Sequence, residues 1–273
     1  MENPTKIAII GAGNIGNSIA NGLIQSGQFS AGNIILTRRK VHLLEPMKAK
    51  GFEVTGDNSA AVKQSEVVII AVEPHQMDGV LQQLAPELDP QKHTLISVVT
   101  GVEIRQIAAI VGDQTSIIRA MPNTAIAVQE SMTSLASNGA NNRAIELAKS
   151  IFDTVGKTIL INEENMTAAT ALGACGIAFF LRAIRAASQG GIEIGFHSED
   201  ALLIASQTAK GAASLLLSSG NHPEREIDKV TTPKGCTIAG LNRMEHEGFS
   251  SAMIKGITVS ASIAAGLYHA EKK

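Results

Sequence analysis

The chain has 273 residues, 44% hydrophobic and 18% charged, which excludes a disordered chain and allows one large or two modest domains. Lys plus Arg number 23 against 25 Asp plus Glu, a net charge of −2, so neither a nucleic-acid footprint nor a polybasic membrane surface is encoded. No uninterrupted apolar run reaches the roughly 18 residues of a membrane span, residues 1–6 lack a signal-peptide pattern, and Cys175 and Cys236 are too few and too distant for a disulfide framework, so a cytosolic protein with no membrane or nucleic-acid partner is expected.

In chain order, residues 6–10 form an apolar strand that turns through Gly11 to Gly16 into a helix carrying Ile15, Ile19, Leu23 and Ile24 at helical spacing. Further strands are predicted at 33–37, 67–72, 94–99, 116–120, 132–136 and 158–161. Helices are predicted between them at 42–50, 76–85, 103–111 and 143–155, with Gly51, Gly112 and Gly156 as stops. The 67–72 strand is apolar on both faces, as a central parallel strand should be. The alternation specifies an α/β, Rossmann-like, doubly wound and mostly parallel sheet over residues 1–162.

After Asn162 no strand candidate survives. Helices are predicted at 163–188, 198–218, 223–229, 238–247 and 251–270, with Ser198, Thr237 and Ser250 as N-caps and Pro223 in a first turn. The 198–218 helix is apolar on more than one face and should be buried. An all-α C-terminal domain over 163–273 follows. Its apolar content exceeds what a small lone bundle leaves solvated, so an obligate homodimer through these helices is expected, with a higher homo-oligomer built on it. Its interface should exceed the ordinary size of roughly 1,600 Å².

Gly11-Ala12-Gly13-Asn14-Ile15-Gly16 fits G-x-G-x-x-G between a strand and a helix, the context of a dinucleotide fingerprint. Its glycines permit a tight turn, close approach of a pyrophosphate and close helix-to-strand packing. A reader of a ribose 2′-hydroxyl needs Asp or Glu about 20 residues further on. Here the second strand ends in Thr37-Arg38-Arg39-Lys40, without an acid. Guanidinium groups suit a 2′-phosphate, so NADP(H) is preferred, with NAD(H) as the second cofactor. The seven histidines have no zinc spacing, so no metal is expected. No G-x-S-x-G occurs, which argues against an α/β-hydrolase.

Residues 230–241, Val-Thr-Thr-Pro-Lys-Gly-Cys-Thr-Ile-Ala-Gly-Leu, resemble the signature of pyrroline-5-carboxylate reductases, V-T-S-P-G-G-T-T-I-A-A-L. The similarity extends to Asp57-Asn58, Ala71-Val72-Glu73-Pro74, Ile96-Ser97, Gly101-Val102, Arg119 to Thr124 and Thr170-Ala171-Leu172. It implies NADPH-dependent reduction of 1-pyrroline-5-carboxylate to L-proline, the last step of proline biosynthesis. By that resemblance Gly11, Gly13, Asn14, Ile15 and Gly16 hold the pyrophosphate and Arg38 the adenosine phosphate. Asn58, Ala71, Val72, Glu73 and Pro74 line the cofactor, and Val98, Val99 and Thr100 approach the nicotinamide. Gly235, Cys236 and Thr237 would bind the substrate carboxylate, with Glu163 near a substrate-contacting acid and Thr237 as the catalytic residue. The chain departs from the pattern at Glu73 (often Lys), at 173–177 (S-G-S-G-P in the family), at Lys229, at Lys234 (Gly) and at Cys236.

The residues alone leave two roles open for Thr237, a helix cap or a substrate hydrogen-bond donor at a helix N-terminus suited to a carboxylate. Glu163-Glu164 reads more simply as first-turn charge on a helix. Two other readings stand beside the reductase. One is a β-hydroxyacid dehydrogenase, disfavoured because no Lys is followed by Asn four residues later. The other is a non-catalytic dinucleotide-binding homologue.

Overall fold

The computed structural model describes residues 5–139 and 141–265. The chain divides into two compact units, Met1–Cys175 with Ser260–Lys273, and Gly176–Val259. The all-α region was expected from 163; residues 163–175 are helical and pack with the sheet unit.

The sheet unit contains strands β1 (Ile7–Ile10), β2 (Ile34–Thr37), β3 (Glu53–Thr55), β4 (Val67–Ile70), β5 (Thr94–Ser97), β6 (Ser116–Met121), β7 (Ser131–Ser137) and β8 (Gly156–Leu160). They form one sheet in the order β3-β2-β1-β4-β5-β6-β7-β8. All neighbours are parallel except β6 and β7, which pair antiparallel with Ile118 opposite Ser137. Chain order reverses between β1 and β4, the crevice where such sheets bind ligands.

Side chains alternate across each strand, so successive residues feed opposite faces. Ile7, Ile9, Leu36 and Ile69 join one core with Ile19 and Leu23 of α1 (Asn14–Gln25), Met47 of α2 (Glu45–Lys48) and Ile151 and Phe152 of α6 (Asn142–Asp153). Ala8, Ile10, Ile35 and Ile70 join the other with Val62 of α3 (Asn58–Lys63), Leu81 of α4 (Met77–Leu84) and Ile107 of α5 (Ile104–Val111). The central strands β1, β2 and β4 therefore carry apolar residues at almost every position, because both faces are covered.

Two elements lie outside the sequence prediction. β3 is a three-residue edge strand with an exposed Glu53, too short and polar to show a pattern. α3 is six residues long and depends on its cap, the Asp57 carboxylate accepting from the Ala60 N–H at 3.0 Å. The helix expected over 42–50 splits into a 3₁₀ turn, Val41–Leu44, and α2 with Pro46 in its first turn. His93 is buried at the opposite edge of the sheet from the glycine loop. Its Nδ1 accepts from the Asp89 N–H at 2.8 Å and its Nε2 faces the Val62 carbonyl at 3.2 Å. Burial pushes this imidazole below the ordinary histidine value, so it is a neutral structural clamp.

A continuous helical stretch begins at Glu163. It comprises a 3₁₀ turn, α7 (Met166–Ala169), a π-helical turn (Thr170–Cys175) and α8 (Gly176–Glu193). In the helical unit, α8 packs on α9 (Ser198–Ser219), and α10 (Pro223–Val230), α11 (Cys236–His246) and α12 (Phe249–Ala264) follow. Gly191 approaches Ala201 so closely that an added Cβ would lie 3.0 Å from the Ala201 Cβ. The helix expected over 251–270 is described to residue 265; its last residues lie outside the described residues.

Three cap expectations are corrected. His197 precedes α9 and Ser198 is its first helical residue; Gly235 caps α11; and α12 begins at Phe249, before Ser250. Pro223 does occupy the first turn of α10.

The expectation that the 198–218 helix is buried also fails for the single chain. Ala201 is its one buried residue, and Leu203 and Leu217 are 69% and 85% exposed. Too little of the chain packs around α9 to cover an apolar surface on several sides. Residues 163–193 and 198–219 are, by length and composition, long and apolar enough to cross a membrane. The search for an unbroken run missed them because interspersed Gly, Ser, Thr and Gln break the run while the mean stays apolar.

Candidate active site

β1, β2, β4 and β5 run parallel, so the loops that follow them share one edge of the sheet. There the glycine loop is built by three different constraints. Gly11 has φ +95°, and a Cβ on it would lie 2.8 Å from the Ala71 carbonyl oxygen and 2.7 Å from the Val72 Cγ1. Gly16 brings α1 onto β1, since a Cβ there would meet the Gly11 oxygen at 2.7 Å and the Ile9 Cγ2 at 3.2 Å. Gly13 faces open space, with nothing within 4 Å of an added Cβ. Gly13 is also the N-cap of α1, and no side chain caps that helix. Uncapped first-turn amides beside a side-chain-free approach suit a pyrophosphate, so these residues fit a dinucleotide.

The end of β2 is tied to the loop. The amides of Gly11 and Ala12 donate to the Thr37 carbonyl at 3.2 and 2.8 Å. Arg38 is anchored by its own amide, which donates to the Thr55 carbonyl at 3.2 Å. Its guanidinium Nη1 lies 3.5 Å from the Ala12 carbonyl. Arg39 and Lys40 are exposed. None of these cations pairs with an acid among the described residues. The loop edge thus carries positive charge with no acid paired to it among the described residues.

Ala71 and Val72 wrap Gly11, and the Ala71 amide donates to Ile10 at 2.8 Å. Glu73 is exposed, with its carboxylate 3.6 Å from His75 Nδ1. Asn58 donates to Gln83 Oε1 at 2.9 Å. Val98 donates its amide to Ile70 at 3.0 Å, and Thr100 Oγ1 lies 4.0 Å from Met121 Sδ at the end of β6. The fold therefore gathers the expected cofactor residues along one sheet edge.

Glu163 belongs to the sheet unit and is already engaged. Its Oε1 accepts from the Ile104 amide at 2.6 Å and from Arg119 Nη1 at 2.9 Å. Arg119 is buried on β6 and Ile104 opens α5, so one carboxylate oxygen joins strand, helix and the start of the helical stretch. Sequence reasoning quoted Arg119 within a motif and assigned it no role. Asn123, in the same motif and likewise without an expected role, donates from its Nδ2 to the Gly173 carbonyl at 3.2 Å. A buried cation on an otherwise apolar strand was the available signal for Arg119.

Gly235, Cys236 and Thr237 lie in the helical unit. The Gly235 amide donates to the Thr232 carbonyl at 2.9 Å, and a Cβ on Gly235 would lie 2.5 Å from Thr232 Oγ1. The preceding Lys234 has φ +60°, a left-handed conformation that suits glycine far better than lysine. α11 starts at Cys236, so Thr237 is its second residue rather than its cap. Just upstream, Lys229 binds Glu226 at 2.7 and 2.8 Å, and Asn221 binds it at 2.6 Å. The Lys229 and Asn221 hydrogen bonds hold the Glu226 carboxyl below the usual carboxylate range. Among the described residues no group of three or more His, Cys, Asp or Glu could hold a metal.

The family model for pyrroline-5-carboxylate reductase dimerisation matches residues 163–267. A model described as NADP oxidoreductase, coenzyme F420-dependent, matches residues 6–101. Pyrroline-5-carboxylate reductase 1 of Dictyostelium discoideum is 53% identical over 96% of this chain, which spans 50% of that relative's length. Pyrroline-5-carboxylate reductase 2 of the same organism is 47% identical over 96% of this chain and 92% of its own. The solved structure of a pyrroline-5-carboxylate reductase from Coxiella burnetii superposes with a TM-score of 0.89 at 30% identity, covering 97% of this chain and 99% of that one. With a fingerprint loop that fits a dinucleotide and relatives alike over nearly the whole of this chain, the chain belongs to the pyrroline-5-carboxylate reductase family.

Proposed function

We infer that this chain reduces 1-pyrroline-5-carboxylate to L-proline with NADPH. The observation that carries the reading is the Gly11–Gly16 loop locked to Thr37, with the Arg38 guanidinium beside it, in a chain of this family. NADPH held by these residues would supply the hydride for the imine carbon, with the ring nitrogen keeping its proton. A protonated imine is already electrophilic, so the chain's task is alignment rather than acid-base chemistry. Gly11, Gly13, Asn14, Ile15 and Gly16 bind the pyrophosphate, and Arg38 the 2′-phosphate. Asn58 and residues 71–74 line the cofactor, and Val98, Val99 and Thr100 face the nicotinamide. Gly235 and Cys236 offer backbone amides to the substrate carboxylate, and the Thr237 hydroxyl donates to the substrate. Glu163 contributes its second oxygen at the substrate end.

The direct test is NADPH oxidation with pyrroline-5-carboxylate, set against a 3-hydroxy acid with NADP as the contrasting substrate. Turnover of the hydroxy acid alone would overturn the reading. Two substitutions refine it. Arg38→Ala should raise the Michaelis constant for NADPH about tenfold, the loss of one charge-assisted contact of roughly 1.5 kcal/mol, and leave NADH nearly unchanged. Equal losses with both cofactors would make Arg38 structural. Thr237 is not the helix cap, and its hydroxyl has no hydrogen-bond partner among the described residues. Thr237→Ala should therefore leave the melting temperature unchanged and lower kcat/KM at least about tenfold, or about 1.4 kcal/mol of transition-state stabilisation. Thr237→Ser should be mild. Wild-type efficiency in the Ala variant would leave substrate binding to the backbone amides.

The homodimer is proposed to form through residues 163–273. The apolar faces of α8, α9 and α12 support it, as does the dimerisation family model over residues 163–267. A second copy of the chain is the reading preferred to lipid for those faces. Sedimentation should give no folded, active monomer at micromolar concentration, and such a monomer would sink the proposal. Both cysteines are free, which suits the reducing cytosol proposed as the compartment.

A further inference from the structure

We propose that Asn123 is a positioning residue for hydride transfer. Through its side-chain amide it fixes the π-helical turn Thr170–Cys175 against the end of β6. The inference rests on the reductase reading above.

A π-helical turn is wider than its α-helical neighbours and interrupts their hydrogen-bond ladder, and such turns occur frequently at functional sites. Here the turn packs against β6 and β7. Its Ala174 joins a small apolar cluster with Met121, Ala136 and Met166. Gly173 has no side chain to hold it, and an added Cβ would meet nothing within 4 Å. What holds this point of the turn is the bond from Asn123 Nδ2 to the Gly173 carbonyl, at 3.2 Å. Asn123 is itself fixed from two sides. Its amide N–H donates to Ser131 Oγ at 3.1 Å, and its Oδ1 accepts from the Ala125 N–H at 3.0 Å. With the oxygen committed to an N–H, only the NH₂ can face Gly173, so the amide orientation is determined by its partners.

Asn123 follows β6 by two residues, and β6 runs parallel to β5. Its terminal Met121 lies against Thr100, in the segment proposed to face the nicotinamide. A shift of the π-helical turn is therefore passed to the edge where donor and acceptor carbons must align. Misplacement by about 1 Å can cost roughly a hundredfold in rate.

Asn123→Asp separates this role from a merely structural one. The carboxylate keeps an oxygen for the Ala125 N–H but sets oxygen against the Gly173 carbonyl. A cap alone would be fully rescued by Asp. As a positioning residue, Asp should lower kcat by roughly ten- to a hundredfold, with the melting temperature and the Kd for NADPH, read by its fluorescence, close to wild type. Amide hydrogen exchange should accelerate over residues 170–177 and stay unchanged in the sheet. Asn123→Ala should show the same loss of kcat together with a lower melting temperature. Wild-type kcat in the Asp variant, or unchanged exchange over 170–177, overturns the proposal. Failure of the wild-type chain to reduce pyrroline-5-carboxylate would instead sink the reductase reading and, with it, the role in hydride transfer; unchanged exchange beside normal wild-type turnover sinks the positioning role alone.

Discussion

Gly11→Ala should weaken NADPH binding at least about a hundredfold, equivalent to about 2.8 kcal/mol, and destabilise the fold as well. The methyl group would sit against the Ala71 carbonyl oxygen and the Val72 side chain, and a backbone carbonyl within a sheet-anchored loop cannot swing aside. Overpacking costs typically about 1–3 kcal/mol, and the left-handed φ of +95° adds about 1 kcal/mol or more of strain. Relief requires the loop to leave its two hydrogen bonds to Thr37, which also moves the pyrophosphate amides. Gly13→Ala is the informative contrast. Its φ is −86° and its surroundings are open, so the fold should be spared while the added methyl occupies the approach to the phosphates. NADPH fluorescence titration and thermal melts of both variants check this. Wild-type affinity in Gly11→Ala would refute the loop as the cofactor's cradle.

Glu163→Gln should cost about 3 kcal/mol of stability. The amide oxygen can still accept from Ile104, but the Arg119 guanidinium, with its side chain only 8% exposed, loses its counter-charge. Breaking a buried pair from one side costs roughly 3–5 kcal/mol, and the low end applies because the Glu163 side chain is 30% exposed. Arg119→Met alone should be milder, since it leaves the partly exposed carboxylate rather than the buried cation unpaired. The double variant should be more stable than the sum of the single losses predicts, by at least about 1 kcal/mol, because the pair is in direct contact. Urea midpoints of the four proteins supply the cycle. Additive losses would mean that Glu163 and Arg119 do not stabilise each other as a pair.

Much of the sheet unit was legible because its signals are local. Apolar runs such as 67–70, glycines that end helices, and a fingerprint between strand and helix are readable within a dozen residues. Seven of the eight strands and the side of the sheet bearing the site follow from them. The acid-free end of β2 likewise carries the cofactor expectation within four residues. β3 and α3 escaped because their formation depends on pairing with β2 and on one capping carboxylate, not on a periodic pattern.

Tertiary structure decided what joins residues distant in sequence. Arg119 and Glu163 are 44 residues apart and Asn123 and Gly173 are 50 apart, so no window of sequence shows that they meet. The helix cap passed from Thr237 to Gly235 because the Lys234-Gly235 turn closes on Thr232, a geometry that Thr's cap preference could not reveal. The sequence by itself determined most of the strands and helices and the glycine loop whose backbone suits a phosphate, since these depend on side-chain period and backbone freedom. The fold alone decided which polar groups are paired and which apolar faces of α8 and α9 stay uncovered, since burial depends on what the rest of the chain brings alongside.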